Sequence, residues 1–204
     1  RLDVFLKRDM HSGQDGYLIR SLYFDDIAES AFYDKLAGIN EREKYRLRYY
    51  DVDSRHIFLE RKRKHGNLIE KDSIPVSMAV AERMIKDLPL EMSELTAPLM
   101  VAFAAQRSTR LMRPRVIVDY RRLAFVYEEQ DVRITLDSDI RSNMYRTDAF
   151  FQRATALPVL ENENVILEVK FDEYLPDKPK EALSLISVMP QANSKFCQCV
   201  LPLI

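Results

Sequence analysis

The segment KYRLRYY, residues 44–50, alternates strictly between cations and aromatic or aliphatic side chains. The cations are Lys44, Arg46 and Arg48. Successive side chains of a β-strand point to opposite faces of its sheet, so the segment predicts a strand with one cationic and one apolar face. Antiparallel sheets that rest one face on a hydrophobic core show this alternation. The segment therefore favours an antiparallel sheet as the centre of the fold.

The same alternation continues after this segment. It breaks at residues 51–55, resumes in IFLERKRK (57–64), turns at residues 65–67 and continues in LIEKDSI (68–74). Two alternating runs that are separated by a short turn containing glycine are typical of a β-hairpin. These residues therefore predict an antiparallel meander.

The rest of the chain contains both strands and helices. Residues 19–26, IRSLYFDD, predict a strand, followed by a helix that Asp25 or Asp26 caps and Gly38 ends. Residues 77–112 carry apolar side chains at three- and four-residue spacings and predict helices, with Pro89 and Pro98 as breaks or first-turn positions. Three more strands are predicted in RVIVDYRRLAFVY, DVRITLDSDI and NVILEVKF. A short last helix is predicted around KEALSLISV. The expected fold class is α+β.

Length and composition narrow the classes of function. The chain has 204 residues, 47% of them hydrophobic, and we expect one domain over residues 1–204. The chain has 31 lysines and arginines and 32 aspartates and glutamates. The resulting net charge of −1 argues against a protein that coats nucleic acid. The chain shows neither a membrane-spanning apolar run nor a signal-peptide pattern, so we expect a cytoplasmic protein. Cys197 and Cys199 are too few for a zinc site and predict ordinary buried thiols.

Charged residues recur at alternate positions of the other predicted strands. They include Glu60, Lys62, Lys64, Lys71, Arg133, Glu168 and Lys170. A single strand of this kind is most often the solvated side of an ordinary sheet. Rows of cations on neighbouring strands, however, repel each other unless an anion lies between them. Taken together, the strands therefore indicate a face that binds a polyanion.

Phosphate is the anion that suits such a face best, because guanidinium groups match phosphate oxygens in pairs and lysine adds a compact charge. The chain has neither a P-loop nor a G-x-G-x-x-G motif, so side chains on strands would have to hold the phosphates. A sheet that closes into an antiparallel β-barrel would turn these side chains inward. The carboxylates among the cations indicate a divalent metal that bridges phosphate oxygens.

Several of these motifs, taken in order, resemble the VTC domain, which is the catalytic module of polyphosphate polymerases. They are IRSLYFDD, KYRLRYY, FLERKRK, DYRRLAF, VRITLDSDI, VILEVKF and a late SKF, and they span nearly the whole chain. The resemblance implies a tunnel-shaped antiparallel β-barrel with flanking helices, of the triphosphate tunnel metalloenzyme (CYTH-like) superfamily. It also implies transfer of the γ-phosphoryl group of ATP to a growing inorganic polyphosphate chain with Mn²⁺ or Mg²⁺.

The resemblance assigns roles to individual residues. The phosphate-binding and catalytic residues that it implies are Arg46, Arg48, Lys62, Lys71, Arg122 and Lys195. The implied metal-binding residue is Glu168. Further residues that could line the tunnel are Arg20, Glu60, Tyr120, Arg133, Lys170 and Ser194. Arg20 could equally be the structural partner of a carboxylate in the barrel.

One part of the family pattern lies ahead of the first residue of this sequence. Family members begin with a strand of the type E-x-K-Y, before a helix whose tail would be RLDVFLKRD in this sequence. A lysine of that strand grips the nucleotide phosphates in the family. The sequence begins at Arg1 without that strand, and because the rest of the tunnel set is present we expect the strand to belong to the protein.

Three other functions remain open at this point. Triphosphatases of the same superfamily carry E-x-E where this chain has Glu168 and Lys170, which favours the polymerase over the hydrolase. A non-catalytic module that binds polyphosphate is the second alternative. Nucleic acid is not expected as a partner, although Tyr45, Tyr49 and Tyr50 could stack on bases. Partnership with a membrane protein that takes up the product is compatible with the resemblance, and the sequence leaves the oligomeric state open.

Overall fold

The computed structural model describes residues 2–51, 56–144, 146–152, 156–159, 164–184, 186 and 189–201. The strands are β1 (Lys7–Arg8), β2 (Tyr17–Asp25), β3 (Arg42–Tyr50), β4 (Ile57–His65), β5 (Leu68–Val76), β6 (Arg113–Tyr127), β7 (Val132–Asn143), β8 (Leu157–Pro158) and β9 (Ile166–Lys170). The helices are α1 (Leu2–Phe5), α2 (Ser30–Leu36), α3 (Met78–Ile85), α4 (Pro98–Arg110), α5 (Asp177–Ser184) and α6 (Lys195–Val200). This content confirms the α+β class.

The strands form one antiparallel sheet in the order β5-β4-β3-β2-β6-β7. Both β8 and β9 pair with β7, and β1 pairs with β6. The predicted meander is confirmed, since β2, β3, β4 and β5 follow one another as neighbours. The predicted closed barrel is wrong in this structure: among the residues it describes, β5 and β9 form no backbone pairing with each other, so the sheet stays open.

The apolar side chains of β3 face the largest hydrophobic cluster. Tyr45, Leu47 and Tyr49 are buried there together with side chains of α3 and α4. The same face of the sheet continues at β6 and β7, where α1 and α5 cover a smaller cluster around Phe125 and Ile134. The opposite face, which carries Lys44, Arg46 and Arg48, is called the cationic face below.

Helices α2 and α6 pack on the middle of the cationic face. They bury a third cluster that includes Tyr23, Phe32, Val118 and Phe196. Polar side chains on either side of this cluster are therefore partly enclosed, although they lie on the charged face of the sheet. Sequence patterns did not predict α6 as a helix, because its six residues are too few to show a helical period.

The start of α2 shows how local residues place a helix on this face. The helix begins at Ser30, a few residues later than the pattern suggested. Asp25, at the end of β2, accepts hydrogen bonds from the backbone N–H groups of Ala31 and Phe32 at 2.9 and 3.1 Å. These carboxylate contacts satisfy donors that the first turn of a helix leaves free. The N-cap residue itself is Glu29, so the prediction of Asp25 or Asp26 at that position is wrong, although the Asp25 carboxylate does serve the first turn.

Other local predictions are confirmed. Pro98 occupies the first position of α4, and Gly38 follows α2 with φ of +71°. Cys197 and Cys199 are free, buried thiols of α6, and burial raises the pKa of Cys199 to about 12. Within the described ranges, every helix is too short or too polar to cross a membrane.

Candidate functional site

The register of the sheet brings the predicted phosphate-binding arginines and lysines to one face. Arg46 of β3 lies opposite Glu60 of β4 and Tyr23 of β2. Lys62 of β4 lies opposite Lys44 on one side and Lys71 on the other. Directly opposite residues of an antiparallel pair share a face, so the backbone pairing alone aligns these charges.

Glu60 is the centre of the first charge cluster. Its side chain is only 4% exposed and lies 2.6 Å from Arg46, 2.7 Å from Lys71 and 3.8 Å from Arg48. Burial by itself would raise the pKa of Glu60, but Arg46, Arg48 and Lys71 together lower it to about 2. Glu60 is therefore ionised at neutral pH and neutralises part of the cationic row.

Arg48 is held by neutral hydroxyl groups as well. Its guanidinium donates to Ser21 Oγ at 3.0 Å and to Tyr120 Oη at 3.2 Å. Arg46 donates in the same way to Tyr23 Oη at 2.8 Å. These contacts fix both guanidinium groups in position, which reduces the entropy that binding an anion would otherwise cost.

Asp137 of β7 is the centre of a second cluster. Its side chain is 0% exposed and accepts two hydrogen bonds from Arg122 of β6, at 2.7 and 2.8 Å. Lys195, at the start of α6, lies 2.6 Å from the same carboxylate. Burial would raise the pKa of Asp137, and Arg122 and Lys195 lower it overall.

Sequence reasoning did not single out Asp137. A signal was present, because Arg133, Thr135 and Asp137 alternate with Ile134 and Leu136 in the predicted strand VRITLD. A carboxylate on the same face of the sheet as the predicted phosphate-binding cations has to be paired with a cation or bound to a metal if it is buried.

Tyr120 connects the two clusters. Its ring lies 5.4 Å from the guanidinium of Arg122 and 5.1 Å from the ammonium of Lys195. Its hydroxyl accepts the hydrogen bond from Arg48 that is described above. An aromatic ring attracts cations electrostatically at such distances, so Tyr120 positions cations from β3, β6 and α6.

Glu168 of β9 differs from the other two carboxylates. Its side chain is 39% exposed and lies 3.3 Å from Lys170 and 3.7 Å from Arg122. Burial would raise the pKa of Glu168, and Lys170, Lys195 and Arg122 lower it overall. Its oxygens are thus ionised, reachable and less tightly engaged than those of Asp137.

Thr135 lies directly opposite Glu168 in the pairing of β7 with β9. The residue is 4% exposed, and within the described part of the chain its Oγ1 has no hydrogen-bond partner. A buried hydroxyl without a partner costs free energy, so it marks a place where a ligand group or water would bind favourably.

Charges near the two ends of the sheet act on one another. Desolvation lowers the pKa of Lys62 on β4, and Lys170 of β9 lowers it further, while Glu168 opposes the shift. These interactions connect strands that are far apart in the order of the sheet. The charges of β4 and β9 therefore belong to one electrostatic site, although no backbone pairing joins the ends of the sheet in the described residues.

Arg20 does not lie on this face, which corrects its assignment as a tunnel-lining residue. Its neighbours in register are Tyr49 and Asp119, on the apolar side of β2. Arg20 bonds both oxygens of Asp119 at 2.7 Å and donates to the backbone carbonyl of Phe150 at 3.1 Å. It is the structural partner of a carboxylate, which was the alternative role considered for it.

The remaining predicted residues lie at the borders of the face. Arg133 bonds Asp9 at 3.0 Å and Tyr17 Oη at 3.2 Å, opposite Lys170 in register. Ser194 Oγ caps α6 by accepting from the N–H of Cys197. Both contacts are compatible with a role in positioning neighbouring cations.

Among the carboxylates of this face, Glu168 fits a metal that is bound together with phosphate. The described residues contain no group of three or more acidic, histidine or cysteine side chains that could form a metal cage. Glu60 and Asp137 are committed to cations, which leaves Glu168 as the available protein ligand. Mg²⁺ is commonly held by one or two carboxylates together with water and substrate phosphates, and this donor set matches that arrangement.

The fold and the site thus define an antiparallel-sheet domain that carries clustered, partly enclosed cations on one face. The chain belongs to the VTC domain family, which matches residues 2–204. A crystal structure of a protein from Bacillus halodurans, described as a candidate adenylate cyclase, has the same fold, with a TM-score of 0.51 and 15% identity. The match covers 90% of this chain and 83% of that one. No curated protein matches the chain.

Proposed function

We propose that this protein is a metal-dependent polyphosphate polymerase, which transfers the γ-phosphoryl group of ATP to a growing inorganic polyphosphate chain. The observation that supports the proposal most is the cationic face, on which arginines and lysines outnumber carboxylates. Membership of the VTC domain family supports phosphoryl chemistry on that face. A polyphosphate has a uniform, dense negative charge, and a continuous row of cations suits it better than a single anion pocket would.

Phosphoryl transfer requires in-line positioning and neutralisation of charge more than covalent chemistry by the protein. In the proposed reaction Arg46, Arg48 and Arg122 bind phosphoryl oxygens, and Lys62, Lys71 and Lys195 add compact charges. The acceptor is itself a phosphate oxygen anion, so the reaction needs neither a protein nucleophile nor a strong general base.

A divalent cation, Mn²⁺ or Mg²⁺, would neutralise charge on the transferring and leaving phosphoryl groups when it is bound. Members of the triphosphate tunnel superfamily generally use such metals. Glu168 is the residue that would hold the ion, because its carboxylate is exposed and only loosely contacted by Lys170 and Arg122.

The proposal includes the surroundings of the reaction. The ligands are ATP and inorganic polyphosphate and not nucleic acid, since a net charge of −1 gives the chain no overall field that attracts a nucleic-acid strand. We propose that the chain works as one VTC-type domain in the cytoplasm. A membrane protein that takes up the product is the proposed type of partner.

The test is ATP-dependent chain growth, followed as polyphosphate formed against orthophosphate released, with Mn²⁺ or Mg²⁺ present. We expect polymer to accumulate in proportion to ADP, and Glu168→Gln to abolish it while polyphosphate binding persists. Glu128→Gln, at an exposed ion pair with Lys7, is the matched control and should leave activity unchanged. Orthophosphate release without polymer would contradict the proposal and favour the triphosphatase.

The structure offers one observation against hydrolysis as the main activity. Lys170 stands where triphosphatases carry a second carboxylate, and its ammonium lies 3.3 Å from Glu168. A cation there reduces the number of metal ions that the face can hold. A protein that binds polyphosphate but neither extends nor hydrolyses it would instead be the non-catalytic module.

A further inference from the structure

Lys44 is the cation of KYRLRYY to which the family resemblance assigns no role. On the cationic face it lies directly opposite Lys62, and Lys62 lies directly opposite Lys71. Three lysines thus form a row across β3, β4 and β5. Like charges directly opposite each other destabilise a sheet, so added negative charge at this row would be favourable.

The charge of this row is compensated at one end only. Lys71 is neutralised by Glu60 at 2.7 Å. In the described part of the chain, neither Lys44 nor Lys62 forms a salt bridge with a carboxylate, in contrast to Arg46, Arg122 and Lys195. Lys44 and Lys62 thus add to the cationic face two positive charges that no carboxylate salt bridge compensates in the described residues.

Lys44 is nevertheless held in place. Its ammonium lies 3.3 Å from Ser194 Oγ and 4.5 Å from the centre of the Phe196 ring, both near the start of α6. Burial lowers the pKa of Lys44, and the positive charges of Lys35 and Arg42 add to this shift. A hydroxyl and a ring thus fix the position of the ammonium group without cancelling its charge.

We propose that Lys44 and Lys62 form a subsite for a phosphate group of a chain longer than a triphosphate, one position beyond the groups held by Arg46 and Arg48. Alternate side chains of a strand are separated by about 7 Å, so Lys44 lies about 7 Å further along β3 than Arg46. A triphosphate that is clamped by the two arginines ends before Lys44, whereas a longer inorganic polyphosphate continues onto it. This inference rests on the proposed function.

The subsite predicts that Lys44 discriminates by chain length. The experiment compares equilibrium binding of inorganic triphosphate and of long-chain polyphosphate to the purified protein and to Lys44→Met. Methionine keeps the length of the side chain and its packing against Phe196 but removes the charge. We expect Lys44→Met to weaken binding of the long chain about tenfold, which corresponds to about 1.4 kcal/mol, and to leave triphosphate binding unchanged.

Two further variants separate the effect of the Lys44 charge from the effects of its packing and of neighbouring charges. Lys44→Arg retains the charge and should restore most of the long-chain affinity, which a purely structural role against Phe196 would not require. Lys35→Met removes a neighbouring positive charge on α2 and should leave the preference for long chains intact. Thermal unfolding of each variant verifies that the fold is retained.

The outcomes separate this inference from the proposed function. Equal weakening of triphosphate and long chain by Lys44→Met, or no change in either, would overturn the subsite. A loss of preference in Lys35→Met as large as in Lys44→Met would also overturn it, because the general field of the face would then explain the effect. If the unsubstituted protein bound no triphosphate at all, the proposed function itself would fail.

Discussion

Two kinds of carboxylate lie on the same charged face. Asp137 and Glu60 are almost completely buried and each is contacted by at least two cations within 3 Å. Glu168 is 39% exposed, and its contacts with Lys170 and Arg122 are 3.3 and 3.7 Å long. The difference indicates that the first two carboxylates organise cations, while the third remains available to a ligand.

A buried ion pair contributes little net stability when it is compared with an apolar replacement, but removal of one partner leaves an uncompensated charge. Asp137 and Glu60 thus hold the arginines and lysines in a defined arrangement, while they add little net stability to the fold. Glu168 lacks such an arrangement, so its charge is available to compensate a bound cation. The predictions below test this division.

Replacement of Asp137 should have the largest effect on stability. Asp137→Asn leaves Arg122 and Lys195 without their buried counter-charge, and we expect the free energy of unfolding to fall by about 3–5 kcal/mol. Denaturant titration followed by circular dichroism measures this. Asp148→Asn, which removes an exposed partner of Arg146, is the control and should change little. A similar stability for both variants would contradict the role given to Asp137.

Acid should weaken the Glu60 cluster. The pKa of Glu60 in the folded protein is about 2, below its ordinary value of 4.5, so its charge stabilises the fold above pH 4.5. That contribution, about 3 kcal/mol, is lost as the pH falls from 4.5 through 2. The measurement is the free energy of unfolding against pH for the unsubstituted protein and for Glu60→Gln. The two acid limbs should differ, and parallel curves would show that Glu60 carries no such linkage.

Glu168 should affect activity and leave stability nearly unchanged. We expect Glu168→Gln to lower metal-dependent polymer formation at least about a hundredfold, which corresponds to about 2.7 kcal/mol in the barrier. Its free energy of unfolding should remain within about 0.5 kcal/mol of the unsubstituted protein, as for a surface substitution. A large loss of stability would place Glu168 with the structural carboxylates.

Thr135 should show the smallest effect. Thr135→Val removes a buried hydroxyl that has no hydrogen-bond partner in the described residues and keeps the shape of the side chain. We expect unchanged or slightly higher stability and triphosphate binding weaker by about 1 kcal/mol, since a hydrogen bond to the ligand is lost. Thr135→Ser should restore the binding. Weaker stability with unchanged binding would mean that the hydroxyl has a structural role.

Local patterns predicted the elements well where side chains and backbone agree over a few residues. The parity of Tyr45 and Leu47 and the first-turn position of Pro98 both follow from neighbours in the chain. Prediction was weaker where the deciding contacts connect distant strands. Arg20 shares its parity in β2 with Leu22 and Phe24 of the apolar cluster, but only the folded chain brings Asp119, 99 positions away, to its guanidinium.

Side-chain periodicity was enough to establish an antiparallel sheet with one charged face, because alternation along a strand is a local property of the backbone. The same periodicity could not decide whether the sheet closes, since closure depends on the pairing of strands that are distant in the chain. Periodicity also could not show which carboxylates are buried and paired and which one remains available to a ligand. Burial and the distances to the neighbouring cations separate Asp137 from Glu168, and both quantities arise only when β6, β7, β9 and α6 pack together.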